Sequence, residues 1–447
     1  MGGRSAPGVS VIGAGLAGCE AAWQIARRGV DVALLEMKPV RFSPAHRSRD
    51  FAELVCSNSL RAASTSNAAG LLKEEMRRLG SLVMAAADEC AVPAGRALAV
   101  DRVAFARRIT DTVESHPRIR VEHRVVERLP DDGLVIVASG PLTFASLARD
   151  LAALLGEEYL YFYDALSPIL YADSIDPEPA FRASRWEEGE GDYLNLPLDE
   201  ARYHAFVAAL RAADTVPLHS FEAELYFEGC LPIEEMARRG PETLAHGPMK
   251  PVGLVDPRTG RRPYAVVQLR QEDKRGILYN IVGFQTKLRI GEQQRLFRTL
   301  PGLGSAAFSR FGSVHRNTYL NSPRCLLPSL EARKRPGLYL AGQIAGVEGY
   351  VESAALGLLA GVNAARAALG LSLELPPETT AHGSLLGHLQ AARPASFQPM
   401  NATFGLFPQL ADAPRLGRRE RHERLARRAL ADLAGYSERV APRQADR

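Results

Sequence analysis

The segment VSVIGAGLAGCEAAWQIARRGVDVALLEMKP, from Val9 to Pro39, constrains the fold more than any other. Val9 to Ile12 reads as a short buried strand, followed by the turn Gly13-Ala14-Gly15-Leu16-Ala17-Gly18. A helical stretch then runs to Arg27 and Arg28, Gly29 suits its C-cap, and Val30 to Leu35 is a second apolar strand. Glu36 closes that strand about 20 residues beyond the glycines, which completes a dinucleotide fingerprint. Gly13 permits the tight turn, Gly15 lets a pyrophosphate approach the backbone, and Gly18 allows close helix–strand packing. Glu36 is placed to accept hydrogen bonds from a ribose. Ala14 and Leu16 of the same turn, and Lys38 just past the acid, join the candidate cofactor-binding set. Cys19, on the helix, reads as a packing residue.

Two later segments favour FAD over a nicotinamide cofactor. GLVIVASGPLT (133–143) is an aliphatic strand running into small residues and Gly140, as expected where a chain returns beside the first fingerprint. GLYLAGQIAGVEGYVESAALGLLAGVNAA (337–365) is a strand, a glycine-rich turn and a long helix of small residues. The turn's Gly342, Gln343 and Gly346 are expected at a flavin or its phosphate arm. No second GxGxxG is present, so NAD(P)H is expected as a visiting reductant. The three segments must meet in space. The predicted fold is therefore α/β, a Rossmann-like FAD-binding domain with a parallel sheet. That domain is discontinuous, formed by residues 1–166 and 311–447, with an α+β insertion at 167–310. In the insertion a helix is expected near Asp199 to Ala213, with strands around YAVVQLR and ILYNIVGFQT.

The stretch FEGCLPIEEMARRG, Phe227 to Gly240, sets Cys230 just ahead of a short helix. Pro232 suits its first turn, Glu234 and Glu235 its positive end, and Arg238 and Arg239 its close. A thiol near a helix N-terminus is favoured as thiolate, whereas a small buried cysteine at a loop–helix junction is the bland alternative. The five cysteines, Cys19, Cys56, Cys90, Cys230 and Cys325, form no CxxC pair. Reduced thiols in a cytoplasm are expected, with no disulfide scaffold and no metal site. No apolar run reaches membrane-spanning length, and the N-terminal MGGRSAPG lacks a signal-peptide core. The net charge of +4 is a weak pointer to an anionic partner. The tail RLGRRERHERLARRALADLAG reads as a basic amphipathic helix, its charged face either solvated or set against RNA phosphate.

Taken together, the motifs resemble the folate- and FAD-dependent tRNA (uracil-5-)-methyltransferases. The resemblance rests on VIGAGLAGCEAAW, FAELVCSNSLR, VPAGRALAVDR, YDALSPI, FEGCLPIEEMARRG, HRNTYLNSP and AGQIAGVEGYVESAALGLLAG, among others, spread from about residue 9 to residue 410. Longer flavoproteins that modify wobble uridines share the first glycine motif but carry an extra C-terminal helical domain, for which this chain is too short. The resemblance implies formation of 5-methyluridine at T-loop uridine 54 of tRNA, with methylenetetrahydrofolate as one-carbon donor and FAD reduced by NAD(P)H. It implies catalytic roles for Cys230, the favoured nucleophile or acid–base partner, and for Cys56, with the division between them open. Ser57 and Asn58, beside Cys56, are expected at the flavin. His315 and Tyr350 are candidates to stack on the folate pterin, with a loop-orienting histidine the alternative at 315. Arg270, Lys274, Gln285 and Lys287 are expected either at folate or RNA or as plain surface charge. On the nucleotide motifs alone, an FAD-dependent NAD(P)H oxidoreductase acting on a small molecule is the other reading, and a flavin-dependent RNA-binding protein a third.

Overall fold

The computed structural model describes residues 8–157, 159–187, 189–217, 226, 231–410 and 417–442. Its central sheet has five strands in the order Leu338–Leu340, Val135–Val137, Val9–Ile12, Val32–Glu36, Ile119–His123. Every pairing in it is parallel, with Val9 opposite Val32, Ser10 opposite Val135 and Leu338 opposite Val135. A parallel sheet must be covered on both faces, and the strand Val32–Glu36 is buried at every residue. The second strand begins two residues later than expected because Gly29, at φ +82°, and Val30 still belong to the turn that ends the first helix.

That helix, Leu16–Ala26, packs on the long helix Tyr350–Ala368. The approach is close because glycines face alanines: a Cβ on Gly357 would lie 2.2 Å from the Ala17 carbonyl, and one on Gly361 2.6 Å from that of Ala21. The fingerprint and the C-terminal glycine motif are thereby locked side by side.

A second sheet of six strands lies wholly between Ile169 and Arg310. Its order is Phe181–Ala183, Tyr193–Leu198, Ala265–Gln271, Leu278–Ile281, Ile169–Tyr171, Phe308–Arg310, antiparallel throughout. Its side chains alternate between faces. Ala265, Val267 and Leu269 join the core under the helix Glu200–Ala212, while Val266 packs with Phe181 and Leu254. Asp199 caps that helix by accepting from the Arg202 N–H at 2.7 Å. The chain enters this region through Leu160–Ala165 and leaves through Val314–Tyr319, and the two segments pair antiparallel along six residues. A three-stranded sheet of Ser59–Ala62, Ala97–Val100 and Ala91–Val92 completes the strands.

The C-terminal basic segment is a helix, Arg418–Val440, which runs past the expected end because Tyr436 and Val440 continue its buried stripe. Among the described residues no helix is long and apolar enough to cross a membrane, and no group of His, Cys, Asp or Glu is placed to hold a metal ion.

Candidate functional site

The parallel strands end in a cavity of about 410 Å³, within the range of small-molecule and cofactor sites. The first turn supplies one wall with Gly13, Ala14, Gly15 and Leu16. Gly15 stands at the N-cap of the helix Leu16–Ala26, whose first turn has no side-chain cap, so its N–H groups are free to meet an anion. A Cβ on Gly15 or on Gly140 would meet nothing within 4 Å, so at both places the backbone itself faces open space. That is the cradle a dinucleotide requires, and the donor set fits one. Glu36 is fixed at its base: its carboxylate accepts from the Ala14 N–H at 2.6 Å and the Lys38 N–H at 2.9 Å. The Lys38 ammonium is buried and donates to the Asp50 carbonyl.

Gly140, Gly342, Gln343, Ser57, Cys56, His315 and Tyr350 line the same cavity. Gly18, Asn58 and Gly346 do not. A Cβ on Gly18 would come within 1.7 Å of the Gly13 carbonyl oxygen, so this glycine sets the helix against the turn. Gly346, at φ +87°, ends the turn after Gly342 against the Phe397 ring. Asn58 is fully buried and joins the three-stranded sheet to the six-stranded one. Its amide donates to the carbonyls of Val100 and Gln271, both at 3.0 Å, and its oxygen accepts from Arg270 Nε at 2.9 Å. Cys230 lies outside the described residues; the helix that follows it, Ile233–Arg238, begins after Pro232. Its Glu234 is turned inward and accepts from Thr286 Oγ1 and the Lys287 N–H.

The loop carrying Cys56 is held on several sides. The Cys56 N–H donates to the Tyr350 hydroxyl at 2.6 Å. Arg310 donates to the carbonyls of Val55 and Cys56 at 2.8 and 3.0 Å, and Arg102 to that of Leu54 at 2.7 Å. Arg102 is itself paired with the buried Glu272 at 2.7 Å. Ser57 Oγ accepts from Arg270 at 2.7 Å. Cys19, Cys90 and Cys325 are buried, and burial pushes the Cys325 thiol up to about 12. These three are poor thiolates.

Several lining residues carried no sequence signal of their own. Glu348 accepts from Gln343 Nε2 at 2.5 Å; burial, with Asp164 and Cys56 nearby, pushes its carboxyl well above the carboxylate range. His46, whose Nδ1 lies 2.6 Å from Ser43 Oγ, is brought down to about 4 by burial and by Lys38. His315 is also lowered, first by burial and then by Arg310, so two neutral imidazoles face the cavity at neutral pH. Arg61 lines it too and pairs with buried Glu352. Of the four polar residues expected at folate, RNA or the bare surface, Gln285 lines the cavity. Arg270 and Lys287 are buried instead, Lys287 between the Tyr226 hydroxyl and Glu235, while Lys274 donates to the Glu89 carbonyl.

The fold and cavity define a Rossmann-like dinucleotide-binding protein whose cofactor cleft is flanked by the antiparallel pair Leu160–Ala165 and Val314–Tyr319, through Asp164, His315 and Asn317. Its architecture is that of the Aquifex aeolicus protein GidA, matched with a TM-score of 0.66 at 17% identity over 97% of this chain and 77% of that one. The family model described as glucose inhibited division protein A matches residues 8–372. Closer relatives carry the name methylenetetrahydrofolate--tRNA-(uracil-5-)-methyltransferase TrmFO. The one from Geotalea uraniireducens is 59% identical over 96% of this chain and 98% of its own length. Those from Heliobacterium modesticaldum and Geobacter sulfurreducens are 57% and 56% identical over 96% and 95% of this chain, and 97% and 98% of their own lengths. The chain belongs to the TrmFO family.

Proposed function

We propose that the chain forms 5-methyluridine at position 54 of the tRNA T-loop, with methylenetetrahydrofolate as one-carbon donor and FAD reduced by NAD(P)H. The observation that carries this reading is identity of 59% across 96% of the chain with a protein named for that reaction. Residues 1–166 and 311–447 then form one FAD-binding domain interrupted by the insertion 167–310, and the setting is cytoplasmic. FAD would be held by Gly13, Ala14, Gly15, Leu16, Glu36 and Lys38 on one side and by Ser57, Gly140, Gly342 and Gln343 on the other. When bound it supplies reversible two-electron chemistry.

The chain's own task is to make uracil C5 nucleophilic. A thiolate, from Cys230 or Cys56, adds to C6, and the C5=C6 electron pair moves onto C5 and O4. C5 then bonds to the one-carbon unit. A base in the site takes the C5 proton, and elimination breaks the C6–S bond and restores the double bond. The added carbon arrives at the oxidation level of formaldehyde, so two electrons from NAD(P)H complete the methyl group and tetrahydrofolate is returned. His315, neutral and at the cavity wall, suits stacking on the pterin. Tyr350 has its hydroxyl engaged by the Cys56 N–H and offers the cavity its ring. The target uridine must leave its stack to reach the thiols, and phosphate contacts hold the rest of the RNA.

The test combines an unmodified tRNA transcript, NAD(P)H and methylenetetrahydrofolate labelled in its one-carbon unit, with label mapped after nuclease digestion. Label in T-loop ribothymidine is expected. A yellow protein that oxidises NAD(P)H without regard to tRNA, leaving the RNA unlabelled, would overturn the reading in favour of a small-molecule oxidoreductase.

A further inference from the structure

Of the guanidinium groups at the Cys56 loop, the two that hold its backbone carbonyls differ in one respect. Arg102 is balanced by Glu272, whereas Arg310 has no ion-pair partner among the described residues, and its Nε is buried without an acceptor. Its remaining donors fork onto two successive carbonyls, those of Val55 and Cys56. Burial and the neighbouring Arg102 bring it down to about 10, so it stays charged at neutral pH. An unbalanced, largely desolvated cation is costly to keep unless an anion forms beside it. The groups facing Cys56 are Arg310, Arg102, the Tyr350 hydroxyl and Glu348, with Glu272 beyond Arg102. Tyr350 and Glu348 are both raised by burial, and neither forms an ion pair with Arg310.

We propose that Arg310 is the positioning residue for Cys56: its fork onto the Val55 and Cys56 carbonyls seats a positive charge at the loop, and that charge favours reaction of the sulfur as an anion. The inference rests on the reading of Cys56 as a reactive residue of the site. It assigns the strand Phe308–Arg310 a part in the chemistry although that strand does not line the cavity. Charge and fork are separable: lysine keeps the first and loses the second, and glutamine loses the charge.

The experiment measures the rate at which iodoacetamide alkylates Cys56 in the flavin-loaded protein, by peptide mass spectrometry, from pH 6 to pH 10 (a window of about four units spanning the usual thiol range). In Arg310→Gln the rate profile is expected to move about one unit to higher pH, a roughly tenfold loss of rate near neutrality. Arg310→Lys should keep most of the neutral-pH rate. A glutamine profile that coincides with wild type overturns the proposal, as does a lysine variant as slow as glutamine. If the glutamine variant does not fold, the lysine variant decides alone: a profile shifted by a full unit despite the retained charge overturns the proposal, and one close to wild type supports it. Alkylation is read without tRNA or folate, so failure of the methyltransferase reading shows separately, as absence of labelled ribothymidine in wild type.

Discussion

Two glycines three residues apart in the first turn do different work, and substitution separates them. Gly15 has φ −74° and open space beyond its Cα, so alanine fits the backbone but places a methyl group where a pyrophosphate would lie. Gly15→Ala should melt like wild type and lose flavin absorbance. Gly18→Ala must push its Cβ away from the Gly13 carbonyl at 1.7 Å, and should cost about 2 kcal/mol or more as well as the flavin. Thermal melts and flavin content of both variants check the distinction; equal flavin retention in Gly15→Ala would sink the placement. His46 makes a pH-dependent contribution. Its imidazole falls from 6.5 to about 4 on folding, so between those values the unfolded chain binds the extra proton. Stability from this group is therefore full above pH 6.5 and is lost as pH falls toward 4, by roughly 3 kcal/mol at most. His46→Gln should flatten urea-derived stability across that window.

At the scale of elements, the crossing of Leu16–Ala26 with Tyr350–Ala368 brings the two ends of the chain's nucleotide machinery together. Gly357→Ala would set a methyl group 2.2 Å from the Ala17 carbonyl, with backbone on both sides and no side chain to yield. The expected cost is about 1–3 kcal/mol, with weakened flavin binding, since the C-terminal turn rides on this helix. Denaturant titration with flavin release as a second probe would show both losses together. The helix Arg418–Val440 is anchored as well as charged. Arg28 donates to the Val440 carbonyl at 2.6 Å, Arg366 to that of Arg439 at 2.8 Å, and Leu433 is fully buried beneath it. Leu433→Ala should destabilise by roughly 2–4 kcal/mol in the same titration. Its outward arginines include Arg419 and Arg424, paired with Glu423 and Glu420 one turn away, as a solvated face would have them.

Across the whole molecule, the segment from Leu54 to Asn58 is where the six-stranded sheet is tied to the cavity-lining loop and the three-stranded sheet. Arg270, Gln271, Glu272 and Arg310 of the antiparallel sheet and its flank all reach it, directly or through Arg102. Asn58→Ala removes three hydrogen bonds and leaves Arg270 Nε without its acceptor, at a cost of about 2–4 kcal/mol. Amide exchange in residues 54–58 should accelerate in that variant while the strand Val9–Ile12 stays protected. Unchanged exchange at 54–58 would mean that the sheets are held together elsewhere.

The strand–turn–helix–strand around Gly13 and Glu36 was legible because each requirement is local: apolar runs for buried strands, glycines where backbone must approach, and an acid at a fixed spacing. The same holds for the return strand, the C-terminal turn and the helix after Asp199. The sequence alone therefore determined the fold class and, through motifs spread along the chain, the family. It did not reveal that Asn58 and Arg270 face each other rather than a ligand, that Tyr350 holds the Cys56 N–H, or that His46 and Glu348 line the cavity with burial shifting both toward their neutral forms. Nor did SRFGS mark Arg310 as the partner of a loop some 250 residues earlier. These are pairings between distant segments, and burial sets the charge of groups such as His46 and Glu348. Both arise only when distant segments of the chain meet around the cavity at the ends of the parallel strands.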